Sequence, residues 1–403
     1  MNKTPAPLRI LVAGGGIAGN AVALQLLRAG IRTTVVERST APRPGGQAVD
    51  LRGPSKEVIE RMGLMAGVGK YQLHEEGMSL VDRAGRDVYQ MPAEMFDGNG
   101  PVAEIEITRG DLNRVLLDEL DTVTGELDYR YGEWIEALIQ DDTGVEVRFA
   151  SGGTERFDLV IGADGVHSAT RRLAFGPEEK YSTYLGGYMS FFTIPTPEGT
   201  RPNWMTMHAV PHAAVGIRPD GDPATSKAII TLRTDHDPSL RGDVDAQQRL
   251  IRTMLADAGW LAPTVLAAMA DTTDFYFDEL ARIDMPTLTA GRVTLLGDSA
   301  FCGSPLTGMG TAMALVGAYL LAGEIASTPD DLPTALKRYE EKATPFLAKA
   351  KEIPGGGIKQ MVPTSELGLK MMLTIGKLMT TRLMRPIMNR MLAKTDDYTL
   401  PNY

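Results

Sequence analysis

The sequence predicts an α/β protein in which a domain built on a parallel sheet is interrupted by an antiparallel sheet and followed by a C-terminal helix. Three observations support this prediction. A glycine-rich turn joins a short apolar run to a helical pattern within residues 8–30. Residues 181–278 consist of alternating, aromatic-rich runs punctuated by proline and glycine, which is typical of antiparallel strands. Residues 365–393 have a helical pattern rich in methionine.

Composition narrows the class of protein. A chain of 403 residues exceeds the usual size of one domain, and its net charge of −10 argues against a nucleic-acid partner. The single cysteine, Cys302, excludes an intrachain disulfide and favours a reducing compartment, so we expect a cytoplasmic protein. The five histidines show no paired ligand spacing, and the sequence contains no apolar run of membrane-spanning length. We therefore expect neither a metal site nor a membrane span.

The glycine turn carries the first functional motif, Gly14-x-Gly16-x-x-Gly19, between the apolar run LRILVA and a helix. In such a turn the first glycine permits the tight bend, the second lets a pyrophosphate approach the backbone, and the third lets helix and strand pack closely. A second strand, RTTVVE, ends at Glu37, where a carboxylate can accept hydrogen bonds from ribose hydroxyls. These features predict a Rossmann-type dinucleotide site, but they do not separate FAD from NAD. The candidate contacts in this part of the chain are Gly14, Gly16, Ile17, Ala18, Gly19, Glu37 and Arg38.

Two later motifs favour FAD. The first is ADGVHSATR, which contains Asp164, and the second is Gly297-Asp298 followed by a Pro-x-x-Gly-x-Gly loop. A carboxylate at a strand end can bind the ribityl hydroxyls of a flavin. A loop that opens a helix presents N–H groups and a positive dipole end to negative charge on a reduced flavin. The candidate contacts are Asp164, Asp298, Pro305, Gly308, Met309 and Gly310.

The three motifs, in this order, resemble those of the class A flavoprotein aromatic hydroxylases, which share the p-hydroxybenzoate hydroxylase fold. The resemblance covers about residues 8–345 and implies flavin contacts for Asp298 and for Arg109 of the segment ITRGDL. It also implies a Rossmann-type FAD-binding domain with an inserted antiparallel-sheet substrate domain and a C-terminal helix. The segments GGQAVDLRG and CGSPLTGMGTAMALVGAYLLAGE further resemble the tetracycline-inactivating monooxygenases, or tetracycline destructases, in which a C-terminal helix packs over the substrate entrance.

The chain departs from this family at four positions. Family members commonly have histidine at the position of Phe301 and aspartate at that of Gly317. Many have glutamine and asparagine at the positions of Met309 and Ala312. Because Ala312 removes a polar contact to the flavin ring, these departures affect how the flavin is tuned.

The resemblance implies a reaction in which NADPH or NADH reduces FAD and the reduced flavin reacts with dioxygen. A flavin C4a-hydroperoxide then carries the chemistry, so we assign no catalytic side chain. The substrate is expected to be a small aromatic or polycyclic molecule lying between flavin and inserted sheet. Apolar and polar side chains of that sheet are candidates for its pocket, although neighbouring strand positions face opposite sides. These candidates are Met189, Phe191, Met207, His208 and Arg218.

These inferences give a domain plan and a ranked set of functions. The FAD-binding domain is expected in residues 1–72, 109–180 and 279–345, the substrate domain in residues 73–108 and 181–278, and a helical lid in residues 346–403. The expected function is an FAD-dependent monooxygenase that hydroxylates a phenolic or enolic polycyclic compound, with tetracycline as one candidate. The alternatives are a hydroxylase of another aromatic natural product and a non-hydroxylating flavin reductase or flavin-binding protein on the same fold.

Overall fold

The computed structural model describes residues 8–43, 45–96, 103, 105–353, 356–381, 384 and 398–403. Its strands are β1 (Arg9–Ala13), β2 (Arg32–Glu37), β3 (Ala48–Asp50), β4 (Gln72–Leu73), β5 (Gly77–Val81), β6 (Asp87–Pro92), β7 (Glu106–Thr108), β8 (Leu127–Tyr131), β9 (Ile135–Asp141), β10 (Gly144–Phe149), β11 (Thr154–Phe157), β12 (Leu159–Gly162), β13 (Ser182–Pro195), β14 (Trp204–Val210), β15 (Ala213–Pro219), β16 (Thr225–Arg233), β17 (Tyr276–Ile283), β18 (Thr289–Ala290) and β19 (Val293–Leu295). Its α-helices are α1 (Ile17–Arg28), α2 (Pro54–Arg61), α3 (Met65–Tyr71), α4 (Arg109–Leu120), α5 (Ala169–Phe175), α6 (Val244–Leu255), α7 (Ala262–Ala268), α8 (Asp298–Phe301), α9 (Gly310–Ser327), α10 (Leu332–Ala350), α11 (Ile358–Met361) and α12 (Glu366–Met379).

The first domain is organised by a six-stranded sheet with the strand order β18-β19-β12-β1-β2-β8. Strand β1 lies at its centre and pairs in parallel with β2 and β12. Its side chains alternate between two cores, because successive strand residues point to opposite faces. Ile10 and Val12 pack with the helices, whereas Leu11 and Ala13 pack against the small sheet β11-β10-β9. The predicted α/β class with a parallel sheet is thus confirmed.

The second domain is a seven-stranded sheet with the order β17-β13-β16-β15-β14-β5-β6. Its pairs are antiparallel except for the parallel pair of β14 and β5. The predicted segment 73–108 contributes β5 and β6 to this sheet. The two ends of that segment do not join it, because β4 and β7 pair with each other, and β7 with β3, in a separate three-stranded sheet.

The two faces of the seven-stranded sheet have different partners. One face buries Phe192, Val215 and Ile230 against helices α6 and α7. The opposite face carries Met189 and Met207, which pack with a smaller cluster that includes side chains of the C-terminal helices. This second face, which we call the substrate face, also reaches Leu306 of the first domain.

Within the described residues, α12 covers Glu366–Met379 of the predicted helical range 365–393. Pro386, Met388 and Met391 lie outside the described residues. The inner side of α12 places Leu369 and Met372 on the substrate face, and its outer side leaves Leu367 and Met371 largely exposed. Residues 398–403 return to the first domain, where the ring of Tyr403 lies over Gly323 of α9.

One helix in the described part of the chain, α9, is apolar and long enough to cross a membrane by length and composition. Most of it is buried inside the protein. It packs between α1 and α10, where it contributes Leu315, Leu320 and Ile325 to the main core. Its apolar character is therefore explained by the packing of the first domain.

We predict that the close fit of Gly376 against Tyr89 seats α12 on the sheet. A Cβ atom on Gly376 would lie 2.5 Å from the Tyr89 ring, so Gly376→Ala must displace the ring or the helix. Overpacking of this kind costs about 1–3 kcal/mol. The better helix propensity of alanine returns about 1 kcal/mol, so the substitution destabilises the helix when the overpacking cost is above the lower end of its range. Amide hydrogen exchange across α12 should accelerate several-fold, whereas the exposed Lys377→Ala should leave it unchanged.

Adding Tyr89→Ala to Gly376→Ala removes the obstacle, so exchange in α12 should slow relative to Tyr89→Ala alone. Equal exchange rates in the native chain and in Gly376→Ala would show that this contact does not seat the helix.

Candidate cofactor and substrate site

Backbone atoms leave no room for side chains at two positions of the glycine turn between β1 and α1. A Cβ on Gly14, whose φ is +110°, would lie 2.3 Å from the carbonyl oxygen of Ala163. A Cβ on Gly19 would lie 1.9 Å from the carbonyl oxygen of Gly14. Both residues must therefore be glycine for the turn to close as it does.

Gly16 differs from these two, because it faces open space at the N-terminus of α1. The one atom near its Cβ position is Nη2 of Arg109, at 4.0 Å. A helix N-terminus with exposed N–H groups and a neighbouring guanidinium is a favourable place for a pyrophosphate. Ile17 is buried in the core, so among the candidates here it supports the turn through packing.

Glu37 is joined to the same turn by hydrogen bonds. Its carboxylate accepts the backbone N–H groups of Gly15 and Ser39, each at 2.8 Å. A carboxylate has further lone pairs, so this half-buried side chain can still accept ribose hydroxyls. Arg38 is exposed beside it.

Three polar residues that sequence reasoning missed hold the turn from behind. Asn20 is fully buried and donates to the carbonyl oxygen of Gly15 at 2.9 Å. Asn113 donates to the same oxygen, and the hydroxyl of Tyr129 donates to Asn20. An asparagine in an otherwise apolar helix was the available signal, since a buried amide requires partners.

The carboxylate of Asp164 forms its hydrogen bonds within its own loop. Its carboxylate accepts the N–H and the hydroxyl of Thr170 at 2.9 and 3.0 Å, and also the hydroxyl of Ser168. These bonds cap the start of α5. The carboxylate therefore stabilises the conformation of this loop. The loop in turn packs against Gly14.

Arg171 connects this loop to the third motif. It is fully buried, donates to the carbonyl oxygens of Val166 and Ser299, and forms an ion pair with Glu178 at 2.9 Å. Ser299 belongs to α8, so Arg171 joins the second motif to the Gly297-Asp298 segment from inside the protein.

The Gly297-Asp298 segment packs directly on the start of α1. A Cβ on Gly297, whose φ is +67°, would lie 2.8 Å from Cβ of Ala18. Asp298 follows, with Oδ1 4.0 Å from the Cβ position of Gly310 at the start of α9. Burial raises the pKa of Asp298, and the positive charge of Arg109 opposes this shift. The starts of α1, α4 and α9 therefore meet in one cleft.

The loop that opens α9 has the expected turn geometry. The N–H of Gly308 donates to the carbonyl oxygen of Pro305 at 3.1 Å, and Gly308 adopts a left-handed conformation. Met309 then occupies the N-cap of α9. The residues present fit FAD, because separate helix starts can take the pyrophosphate and the flavin, and carboxylates stand near the ribose and ribityl positions.

Two of the departures from the family pattern are in contact. A Cβ on Gly317 would lie 3.1 Å from the end of the Phe301 ring, which is buried. The polar histidine and aspartate common in the family are thus replaced by a phenylalanine ring packed on a glycine. Ala312 is also buried, so this side of α9 is apolar.

The five predicted pocket residues separate into two groups. Met189, Phe191 and Met207 belong to the substrate face. His208 does not belong with them, because it points to the opposite face, where its ring nitrogens contact the carbonyl oxygens of Val81 and Ala258 at 2.9 and 2.8 Å. The alternation of strand residues explains this correction: Met207 and His208 are neighbours and must face opposite sides.

Arg218 lies on the substrate face but is already paired. It contacts Glu75 and forms an ion pair with Glu106 at 2.6 Å, and both carboxylates are almost inaccessible to solvent. Burial raises the pKa of Glu106 to about 8, against the opposing charge of Arg218. Arg218 therefore forms the charged edge of this face together with buried acids.

Other polar residues of the same face were not predicted. The ammonium group of Lys227 is buried beside Thr193 and lies 3.2 Å from Asp220. Tyr276 and Asp278 of β17 stand opposite Phe191 and Met189. The alternating run FYFDEL was the signal for this placement, but it did not indicate which face would meet the first domain.

Two chemical classes find no support at this site. Burial raises the pKa of the Cys302 thiol, which disfavours a thiolate nucleophile. Within the described residues, no group of three histidine, cysteine, aspartate or glutamate side chains is arranged to hold a metal ion.

Comparison with known proteins agrees with this geometry. Residues 8–352 match the family model described as the FAD binding domain. A flavin-dependent monooxygenase from Legionella longbeachae is 34% identical over 340 residues, covering 84% of this chain and 86% of that protein. An uncharacterized protein of Mycobacterium tuberculosis is 37% identical over 359 residues, covering 86% of this chain and 94% of that protein.

Solved structures show the same relationship. The tetracycline destructase Tet(51) superposes with a TM-score of 0.80 at 32% identity, covering 99% of this chain and all of that one. Klebsiella pneumoniae HpxO, complexed with FAD and uric acid, shares the fold with a TM-score of 0.75 at 21% identity, covering 96% of each chain.

The fold and site define an FAD-dependent oxidoreductase of the class A aromatic hydroxylase type. The chain belongs to the FAD binding domain family, and its resemblance to flavin-dependent monooxygenases is confirmed.

We predict that Asp298→Ala weakens FAD binding without unfolding the protein. The ribityl hydroxyls would lose a charged acceptor, worth on the order of 1.5–3 kcal/mol, or roughly 10- to 150-fold in Kd. Fluorescence titration of the apoprotein with FAD measures the change. Asp118→Ala, which removes an exposed carboxylate of α4, is the matched control. Unchanged FAD affinity in Asp298→Ala would remove Asp298 from the cofactor site.

Proposed function

We propose that this protein is a monooxygenase that uses NADPH or NADH and dioxygen to hydroxylate a polycyclic phenolic or enolic compound, with tetracyclines as the first candidates. One oxygen atom enters the substrate and the other leaves as water, with uptake of one proton. The observation that carries this proposal is the meeting of three helix starts with the substrate face of a separate sheet. Such an arrangement supports a flavin site beside an apolar surface.

The residues of the first domain are proposed to hold FAD in order along the cleft. Glu37 receives the ribose, the start of α1 and Arg109 receive the pyrophosphate, and Asp298 receives the ribityl chain. The start of α9 then faces the flavin ring, where its dipole favours negative charge. Bound FAD supplies hydride acceptance and the activation of dioxygen.

The substrate face supplies a surface for a flat ring system. Methionine and phenylalanine side chains provide polarizable contacts that adapt to planar molecules. Gly216 lies in the middle of this face beside Met207 and has no side chain that projects from the sheet. At one edge, Lys227 and Arg218 carry N–H donors that are already paired with acids, so this edge is polar and can donate to the oxygen of a phenol or enol. Such electron-rich substrates are the ones that a flavin monooxygenase can hydroxylate.

The likeness to tetracycline destructase structures Tet(51) and Tet(55), at 32% and 30% identity, favours tetracyclines within this class. The use of NADPH or NADH follows from the family, and the reducing environment suggested by the single cysteine favours a cytoplasmic location. A hydroxylase of another aromatic natural product is the second candidate, because a polar edge and an apolar centre do not select tetracyclines alone.

The test is to incubate the enzyme with NADPH or NADH and tetracycline in air. We expect loss of the drug's long-wavelength absorbance, a product heavier by one oxygen, and drug-stimulated coenzyme oxidation. No change in these three quantities with tetracycline, but stimulation by another phenol, would reject tetracycline and keep the monooxygenase. No coenzyme oxidation with any phenol would favour a non-hydroxylating flavoprotein.

Two methionine variants test the substrate face itself. Met207→Gln places a polar group on this face and should raise KM for the accepted substrate about tenfold, since a lost apolar contact is worth about 1–3 kcal/mol. Met361→Gln changes an exposed methionine of α11 and should leave KM unaltered. An equal KM in both variants would place the substrate elsewhere.

A further inference from the structure

The proposed reaction consumes one proton per turnover, and this proton must reach the cleft between the two domains. We propose that His167, Asp278 and Tyr276 form a hydrogen-bonded path that carries this proton from the protein surface into the cleft between the two domains. This inference rests on the proposed function. It assigns a role to three residues that neither hold the cofactor nor line the apolar centre of the substrate face.

The path is continuous in the structure. The Tyr276 hydroxyl donates to Oδ2 of Asp278 at 3.1 Å. The other carboxylate oxygen, Oδ1, lies 3.1 Å from Nε2 of His167. The second ring nitrogen of His167, Nδ1, lies 2.9 Å from Oε1 of Glu178. Each neighbouring pair is within hydrogen-bonding distance, which is the geometric requirement for proton transfer.

The cleft end of the path lies where cofactor and substrate residues meet, and Tyr276 is 40% exposed there. Tyr276 is opposite Phe191 on the substrate face, and the two ring centroids are 6.1 Å apart. The charges of Arg109 and Asp298 both act on the Tyr276 hydroxyl. Burial raises the pKa of this hydroxyl, so it keeps its proton at neutral pH and can pass one on only as it receives another.

The outer end of the path is charged and reaches solvent. The side chain of His167 is 30% exposed, and that of Arg241, which forms an ion pair with Glu178 at 2.9 Å, is 58% exposed. The charged groups facing His167 are Asp278 of β17, Glu178 after α5 and Arg241 before α6. Glu178 is in turn paired with the buried Arg171.

The two carboxylates, Asp278 and Glu178, keep a proton on the ring. Burial opposes the charged form of His167, but hydrogen bonds to Asp278 and Glu178 outweigh it and raise the pKa of His167 to about 9. The ring is therefore protonated at neutral pH, and this stored proton is present below about pH 9 and lost above it.

The transfer balances in protons and electrons. His167 gives the proton on Nε2 to Oδ1 of Asp278. The Asp278 carboxyl group then turns and donates this proton to the Tyr276 oxygen, while the Tyr276 hydroxyl turns away from Oδ2 and releases its own proton into the cleft. Solvent then reprotonates His167. The hydride of NADPH or NADH supplies both electrons, and its hydrogen, the relayed proton and one atom of dioxygen form water. Without substrate, the same electrons and proton convert dioxygen to hydrogen peroxide.

Three variants interrupt the path while keeping the shape of each side chain. These are His167→Gln, Asp278→Asn and Tyr276→Phe. Glutamine at position 167 keeps a hydrogen-bond donor but carries neither the charge nor the titrating proton, so the pH profile and FAD affinity, measured below, separate proton transfer from a structural role. Tyr188→Phe is the matched control, because Tyr188 lies on the neighbouring strand and stacks on Phe277 on the opposite face.

The measurements are coenzyme oxidation in air from pH 6 to 10 and its solvent deuterium isotope effect. We expect native turnover to fall above about pH 9. His167→Gln and Tyr276→Phe should turn over at least tenfold more slowly at pH 7 and lose that fall, with FAD affinity within twofold of native. Native rates and an unchanged pH profile in both variants would overturn the path. A native protein without bound flavin or coenzyme oxidation would instead reject the proposed function.

A titration independent of turnover tests the outer half of the path. The chain has five histidines, so the proton NMR signal that His167→Gln removes identifies His167. Its pKa should be near 9 in the native protein and fall clearly in Asp278→Asn, with or without FAD. An equal pKa in both proteins would show that Asp278 does not hold this proton.

Discussion

The contact on which the structure depends is the one between glycine backbones at the centre of the first domain. Gly14 touches the end of β12, Gly19 touches Gly14, and Gly297 touches Ala18 at distances that leave no room for a side chain. Three segments far apart in sequence therefore close on one point. Any added methyl group there would separate the helix starts from one another, and the cleft for the cofactor would be lost.

The charged side chains around that contact differ in how deeply they are buried. The described ion pairs of the first domain lie mostly on its outer surface, where they contribute little to stability. The ion pair of His167 with Asp278, which joins the two domains, is half-buried, and Arg171, which pairs with Glu178 beside it, is fully buried. Removing one partner of such a pair leaves an uncompensated charge, so these positions fix how the second motif faces the seven-stranded sheet. The cleft thereby has fixed walls on both sides.

Sequence reasoning found the backbone features of the site and missed the side chains that support them. Gly14 and Gly19 were identifiable because a turn of this geometry has one chemical solution. Asn20 escaped notice, since its partners come from α4 and β8, which the local pattern does not connect. Asp164 lies in a recognisable motif, but the motif did not indicate which groups its carboxylate binds. A carboxylate beside a helix start accepts hydrogen bonds from the unpaired N–H groups of that helix, here from Thr170 at the start of α5.

The alternation of side chains along a strand set a second limit on what the sequence could predict. Met207 and His208 were both named as pocket residues, although a strand can offer only one of two neighbours to a face. The choice depends on which side α6 and α7 cover, and that information is in residues 40 or more positions further along the chain. The same missing information concealed Tyr276 and Asp278. Local pattern thus predicted the strands, and tertiary packing decided their faces.

The most direct test of the central claim is amide hydrogen exchange of the apoprotein with and without FAD. If three separate segments form one cofactor site, FAD must slow exchange together in residues 14–20, 109–113 and 297–312. Protection confined to residues 14–20, as expected for a site that holds only the adenosine half, would contradict the account.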